Sequence, residues 1–167
     1  MRPIIVWITL VCLPTTPVLA GDIFLTATRQ SAYRSALDIL TIAITNHDYT
    51  LIKIQPVDQG LRRKGYHATD YKLLFFGDRE QVDEILKVSP EASVMLPLKI
   101  ILYQKGDTVV ASAPSMEMWK GVFGKTLNPI IDQWERDVKE ILQEFAWQQE
   151  LNDNSQYGAT GYEDRLE

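Results

Sequence analysis

Between Tyr71 and Ala113 the chain carries two β-rich apolar runs on either side of an amphipathic insert, and the second run turns straight back on itself. Leu98–Gln104 and Thr108–Ala113 are separated only by Lys105-Gly106-Asp107. A glycine-containing connection that short makes the two runs a hairpin, and a hairpin commits the chain to antiparallel pairing. Leu98, Ile100 and Leu102 alternate with Lys99, Ile101 and Tyr103, so one face of this strand is firmly core. Pro97 stands at the strand's start, where its missing amide donor is tolerated. The first run, Tyr71–Phe76, reads as a strand. Asp78 then N-caps a helix that turns Val82, Ile85 and Leu86 inward, and Ser89-Pro90 stops it.

The flanking segments extend the same pattern. Phe24–Thr28 is a short strand or lead-in. Ser31 stands where a helix N-cap belongs, and Tyr33, Leu37, Leu40 and Ile44 follow as one apolar stripe. Asn46-His47-Asp48 ends that helix, because such side chains compete for backbone hydrogen bonds. Thr50–Gln55 is a strand, and Pro56–Gly65 a short polar helix or loop with Gly65 as its C-cap. Pro114–Gly124 is a linker or short helix. Asn128-Pro129 then gives an N-cap followed by proline at the first helical position. Leu127, Ile131, Trp134, Val138, Ile141 and Phe145 recur at helical spacing, and Asp132–Arg136 and Glu135–Lys139 are expected as ion pairs on the outside. That helix is expected to pack on its own sheet rather than across a dimer. The fold class is α+β: a mainly antiparallel sheet of about four strands backed by helices, with a long C-terminal amphipathic helix.

Residues 1–20 read as a signal peptide. Arg2 precedes the apolar run Ile4–Leu13, and Val18-Leu19-Ala20 places cleavage after Ala20. The run is short of the ~20 residues needed to span a bilayer, so no stable membrane insertion is expected after cleavage. Residues 21–148 form one α+β domain, with the C-terminal helix at 128–147, and 149–167 form a polar acidic disordered tail. The single cysteine, Cys12, lies in the signal, so the mature chain has no disulfide and no thiolate ligand. The expected location is therefore periplasmic or secreted, the periplasm fitting best. A net charge of −5 without a basic stripe argues against a nucleic-acid partner.

Val57-Asp58, Gly65, Tyr71-Lys72-Leu73-Leu74, Phe76-Gly77-Asp78, Ser89-Pro90 and Leu96-Pro97-Leu98 occur in an order that resembles the domain of unknown function 302 family of bacteria and archaea. The resemblance spans residues 31–113. It implies a compact α+β domain with a helix-backed, largely antiparallel sheet, often dimeric, and it implies no established activity or cofactor. Some members carry cysteine at the segment matching Phe76-Gly77-Asp78 and again after the Leu-Pro pair. Gly77 and Leu98 stand there in this chain, so a thiol-based role does not carry over.

Two clusters are candidate sites. Arg62, Arg63, Tyr66 and His67 crowd one loop around Gly65, which lets backbone approach a ligand; together they suggest recognition of a small anion or polar ligand. The plain alternative is a solvated polar loop. Met116 and Met118, with Met95 as a third sulfur and Trp119 adjacent, form a soft donor set suited to Cu(I). Set against that, methionine fills irregular gaps in cores. Asp78, Glu80, Asp83 and Glu84 read as a solvated helix face. No His-Glu-x-x-His, Gly-x-Ser-x-Gly, Walker or Rossmann pattern occurs, so nothing supports an enzyme. The expectation is a small-ligand binding or accessory domain, a homodimer; soft-metal (copper) handling and a non-catalytic scaffold are the alternatives.

Overall fold

A computed structural model describes residues 23–148. The expected signal peptide and the acidic tail lie outside the described residues. In chain order the elements are β1 (Phe24–Arg29), α1 (Tyr33–Asn46), β2 (Thr50–Pro56), α2 (Val57–Arg63), β3 (Tyr71–Gly77), α3 (Arg79–Val88), β4 (Leu98–Lys105), β5 (Thr108–Pro114) and α4 (Asn128–Trp147). Short 3-10 turns at Pro90–Met95 and Met116–Trp119 bracket the β4–β5 hairpin. The sheet has 5 strands in the order β1-β5-β4-β3-β2, all antiparallel.

The fifth strand is β1, which the sequence marks only as a short strand or lead-in. Its apolar content is thin, but it covers the edge of β5, pairing Phe24 with Pro114 through to Arg29 with Val109. An exposed β5 edge would leave a row of unpaired backbone groups. The hairpin closes through Gly106-Asp107, with Lys105 opposite Thr108 and Gly106 at φ +58°. The αL conformation there is one that glycine adopts without strain.

Leu74 and Phe76 of β3, Leu98, Ile100 and Leu102 of β4, and Val109, Ala111 and Ala113 of β5 point to one face and join α1 and α4 in a single core. Every residue of the α4 stripe, Leu127, Ile131, Trp134, Val138, Ile141 and Phe145, is buried. At roughly 1.5–3 kcal/mol for each large apolar side chain, this burial is a main source of stability. The stripe is therefore spent on the chain's own sheet and on α1. Arg29, on edge strand β1, reaches the far end of α4 and donates from Nη1 to the Phe145 carbonyl at 2.6 Å and from Nη2 to that of Gln148 at 2.9 Å. These are carbonyls that a helix C-terminus leaves without partners.

Five local expectations change. Ala32, in extended conformation, occupies the α1 N-cap position, and Ser31 instead donates to the Ala32 carbonyl. Asn128 is already helical, and its side chain accepts from the Gly121 amide rather than capping α4. Leu86 stands 36% exposed, leaving Ile85 as the buried residue of α3. Glu135 is 3% exposed, so its 3.0 Å pair with Lys139 is not on the outside, and Asp132 pairs with Lys120 rather than Arg136. Asp78 does cap α3, accepting from the Gln81 amide at 2.8 Å.

Candidate functional site

The β4–β5 hairpin fixes what lies at one end of the sheet. The turn before β4 ends in Met95, and the turn after β5 carries Met116 and Met118. Folding the hairpin brings these segments side by side, and all three methionines line one groove of about 260 Å³. Ile23 and Phe24 of the β1 end, Val94, Pro114, Lys99 and Trp119 complete it. Met95 and Met116 are 4% and 3% exposed and form its inner wall, whereas Met118 is 53% exposed at its rim. The Trp119 indole is stacked on Phe123, centroids 5.7 Å apart, which fixes the ring at the groove's side.

A buried carboxylate holds the Met116–Trp119 turn in place. Glu135 of α4 accepts from the Met116 amide at 2.6 Å and from the Ser115 hydroxyl at 3.1 and 3.2 Å. Ser115 Oγ in turn accepts from the Glu117 amide, capping the turn. A second tether runs through Lys120, whose ammonium lies 2.6 Å from both Asp132 and Glu117. The hydrogen bonds to these two carboxylates raise the Lys120 pKa above its usual value. The methionine turn is thus anchored to α4 by directed polar contacts rather than by apolar packing alone.

A second recess, about 600 Å³ and open, lies where the C-terminal end of α1 and the start of α3 meet the side of α4. Asp48, Asp78, Glu80, Glu84 and Asp137 line it, so part of the acidic face of α3 borders a recess. Several of its polar groups are already engaged with one another or with neighbours. Tyr49 donates to Asp137 Oδ2 at 2.7 Å, His47 Nε2 lies 3.3 Å from Glu144, and Trp134 Nε1 donates to Gln81 Oε1. Burial, and then the Asp137 contact, raise the Tyr49 phenol well above its ordinary range. Among the described residues no group of three His, Cys, Asp or Glu is placed to hold a metal ion. No helix of the described residues is long and apolar enough to cross a membrane.

In the Arg62–Asp70 loop the guanidinium of Arg62 meets Asp58 at 3.3 Å, Asp70 at 3.1 Å and the Ala68 carbonyl at 3.0 Å. Arg63, Tyr66 and His67 are exposed, and neither of the two recesses includes any of the four residues. The loop therefore neutralises its own central cation, while the three methionines reach their groove from the two sides of the β4–β5 hairpin.

The sequence profile of the domain of unknown function DUF302 matches residues 25–145. The chain belongs to this family. A solved relative, the crystal structure of an uncharacterised conserved DUF302 protein from Bacillus stearothermophilus, superposes with a TM-score of 0.62 at 16% identity, over 75% of this chain and 97% of the other. At that identity the likeness establishes the DUF302 fold alone. No curated protein matches the chain. The family match takes in most of β1 and most of α4, both beyond the span over which the sequence motifs resemble DUF302.

Sequence reasoning found the groove's three sulfurs but missed its anchor. Glu135 sits 4 residues after buried Ile131 and 3 before buried Val138, so helical spacing already placed it on the packed face. Its charge argued the other way. The partners that make burial tolerable, Ser115 and Met116, belong to another element.

Proposed function

We propose that this DUF302 chain is a non-catalytic binding or accessory domain of the periplasm or extracellular space, and that its ligand site is the methionine-lined groove. One observation carries the reading: apart from Met1, every methionine of the chain lines this groove, beside the exposed apolar residues Ile23, Phe24, Val94 and Met118. Exposed apolar surface that gathers at a concavity marks interaction sites, and flexible thioethers adapt to what they bind. The groove's size suits a small ligand rather than a drug-sized one. The geometry supports it over the Arg62, Arg63, Tyr66, His67 loop as an anion site, because Arg62 is already held by two carboxylates.

Titration with toluene, followed by methyl NMR of the methionines and the indole resonance of Trp119, tests the reading. The Met95, Met116, Met118 and Trp119 signals are expected to shift and saturate together. Shifts scattered over the surface, or none at millimolar toluene, would end it.

A homodimer is the second reading. The sheet face turned away from α1 and α4 presents the alternate residues Leu73, Phe75, Ile101 and Tyr103, all part-buried, and a second copy of the chain suits that surface. Native mass spectrometry at micromolar concentration decides it: a dimer that Phe75→Glu converts to monomer is expected, and a chain that is monomeric without the substitution, or a dimer that Phe75→Glu leaves intact, removes it.

A further inference from the structure

From the composition of the groove we infer the class of ligand it selects: a soft monovalent cation, Cu(I) or Ag(I), held by the thioethers of Met95, Met116 and Met118 beside the face of Trp119. This rests on the groove being the ligand site. Thioethers are soft, neutral donors that prefer Cu(I) to magnesium, calcium or zinc. Among the described residues no carboxylate or imidazole lines the groove, so nothing they place in it compensates a hard divalent ion. Among the described residues the one charged lining residue is Lys99, whose ammonium penalises a divalent ion about twice as much as a monovalent one. An indole face adds cation–π attraction for an ion within about 6 Å, and stacking on Phe123 holds that face in place.

The chemistry is plain ligation, with no change of oxidation state. The ion exchanges solvent or chelator ligands for sulfur, and since thioethers carry no proton, none is released. Two largely buried donors and one at the rim describe an entry order: Met118 meets the ion first, and Met95 and Met116 complete its shell. Glu135 acts as a positioning residue, since its bond to the Met116 amide fixes the turn from which two of the three sulfurs project.

The test uses the purified chain under anaerobic conditions with Cu(I) in competition with bicinchoninate, and Ag(I) as a redox-inert probe in methyl NMR. One equivalent of Cu(I) is expected to be withdrawn from the chelator. The ε-methyl signals of Met95, Met116 and Met118 should move together on Ag(I) addition, with Trp119 fluorescence quenched. Met118→Leu and Met95→Leu, close in volume to the original side chains, are each expected to weaken binding by about tenfold or more while thermal unfolding stays cooperative. Binding that survives the triple leucine substitution would place the metal elsewhere and overturn the inference. So would a chain that binds toluene in the groove yet takes no Cu(I), an outcome that leaves the binding-domain reading standing. Failure with both probes removes the two together.

Discussion

Glu135 offers the sharpest test of how this fold is held. Replacing it with alanine removes the acceptor for the Met116 amide and the Ser115 hydroxyl, both in a buried setting. Each stranded donor costs about 1–3 kcal/mol. The lost pair with Lys139 adds little, roughly 0–1 kcal/mol, because that side chain is 41% exposed and its ammonium regains water. Against these losses stands relief from burying a carboxylate, which offsets part of them. The expected net effect of Glu135→Ala is a loss of about 2–4 kcal/mol. Glu135→Gln keeps one acceptor oxygen and the side-chain volume, and should cost about 1–2 kcal/mol. Urea unfolding by circular dichroism measures both, with an unchanged m-value showing that only stability moved. A Ser115→Ala/Glu135→Gln cycle should return coupling of about 1 kcal/mol. Hydrogen exchange adds a local readout: in Glu135→Ala the Met116 amide should lose protection before the α4 core does. If Glu135→Ala costs less than about 0.5 kcal/mol, the carboxylate does not anchor the turn and the reasoning is wrong.

Two further outcomes follow from contacts elsewhere. Arg29→Met removes two charged hydrogen bonds to the last carbonyls of α4 together with the guanidinium's position over the Phe145 ring, so it should lower stability by about 1–2 kcal/mol, with Arg29→Lys recovering only part; thermal unfolding within experimental error of the parent refutes the cap. Tyr33 and Tyr49 both titrate above the ordinary 10.0, chiefly because burial penalises the phenolate. The folded chain therefore binds more protons than the unfolded one above about pH 10, and stability should be intact below that pH and fall by up to ~2.7 kcal/mol per pH unit beyond it. Tyr49→Phe should halve that slope, and phenolate absorbance from either residue at pH 10.5 in the folded state would refute the assignment.

How legible each element was depends on whether its signal was local. The α4 stripe was readable because a 3.6-residue period over five turns can only be a helix face, and the β4–β5 hairpin because its turn residues and alternation coincide. The β1 strand was half-readable, since Thr26, Ala27 and Thr28 give little apolar contrast and the strand exists to cover an edge that appears only once β5 is placed. Leu86 and Glu135 misled in opposite senses. Each was sorted by residue class, whereas the helical position decided one and a hydrogen-bond partner from another element decided the other.

The two candidate sites differ for a related reason. Arg62 looks like part of a cationic patch when the run Arg62-Arg63-Lys64 is taken alone, yet Asp58 stands one helical turn before it and Asp70 follows at the end of the same loop. The i,i+4 relation between Asp58 and Arg62 was in the sequence and already predicted neutralisation. Thioethers have no such local partner. Where three of them meet is set by tertiary structure, and here by the hairpin: carrying the register of Ile101 with Ser112 on past Leu98 sets the Met95–Pro97 segment opposite Met116–Met118. A charge run in an exposed loop satisfies itself with whatever carboxylate lies nearby, so its clustering says little about ligands. Uncharged soft donors drawn to one groove from both ends of a hairpin, with a buried carboxylate holding their turn, have no comparable local explanation, and the groove is where binding to this chain is best sought.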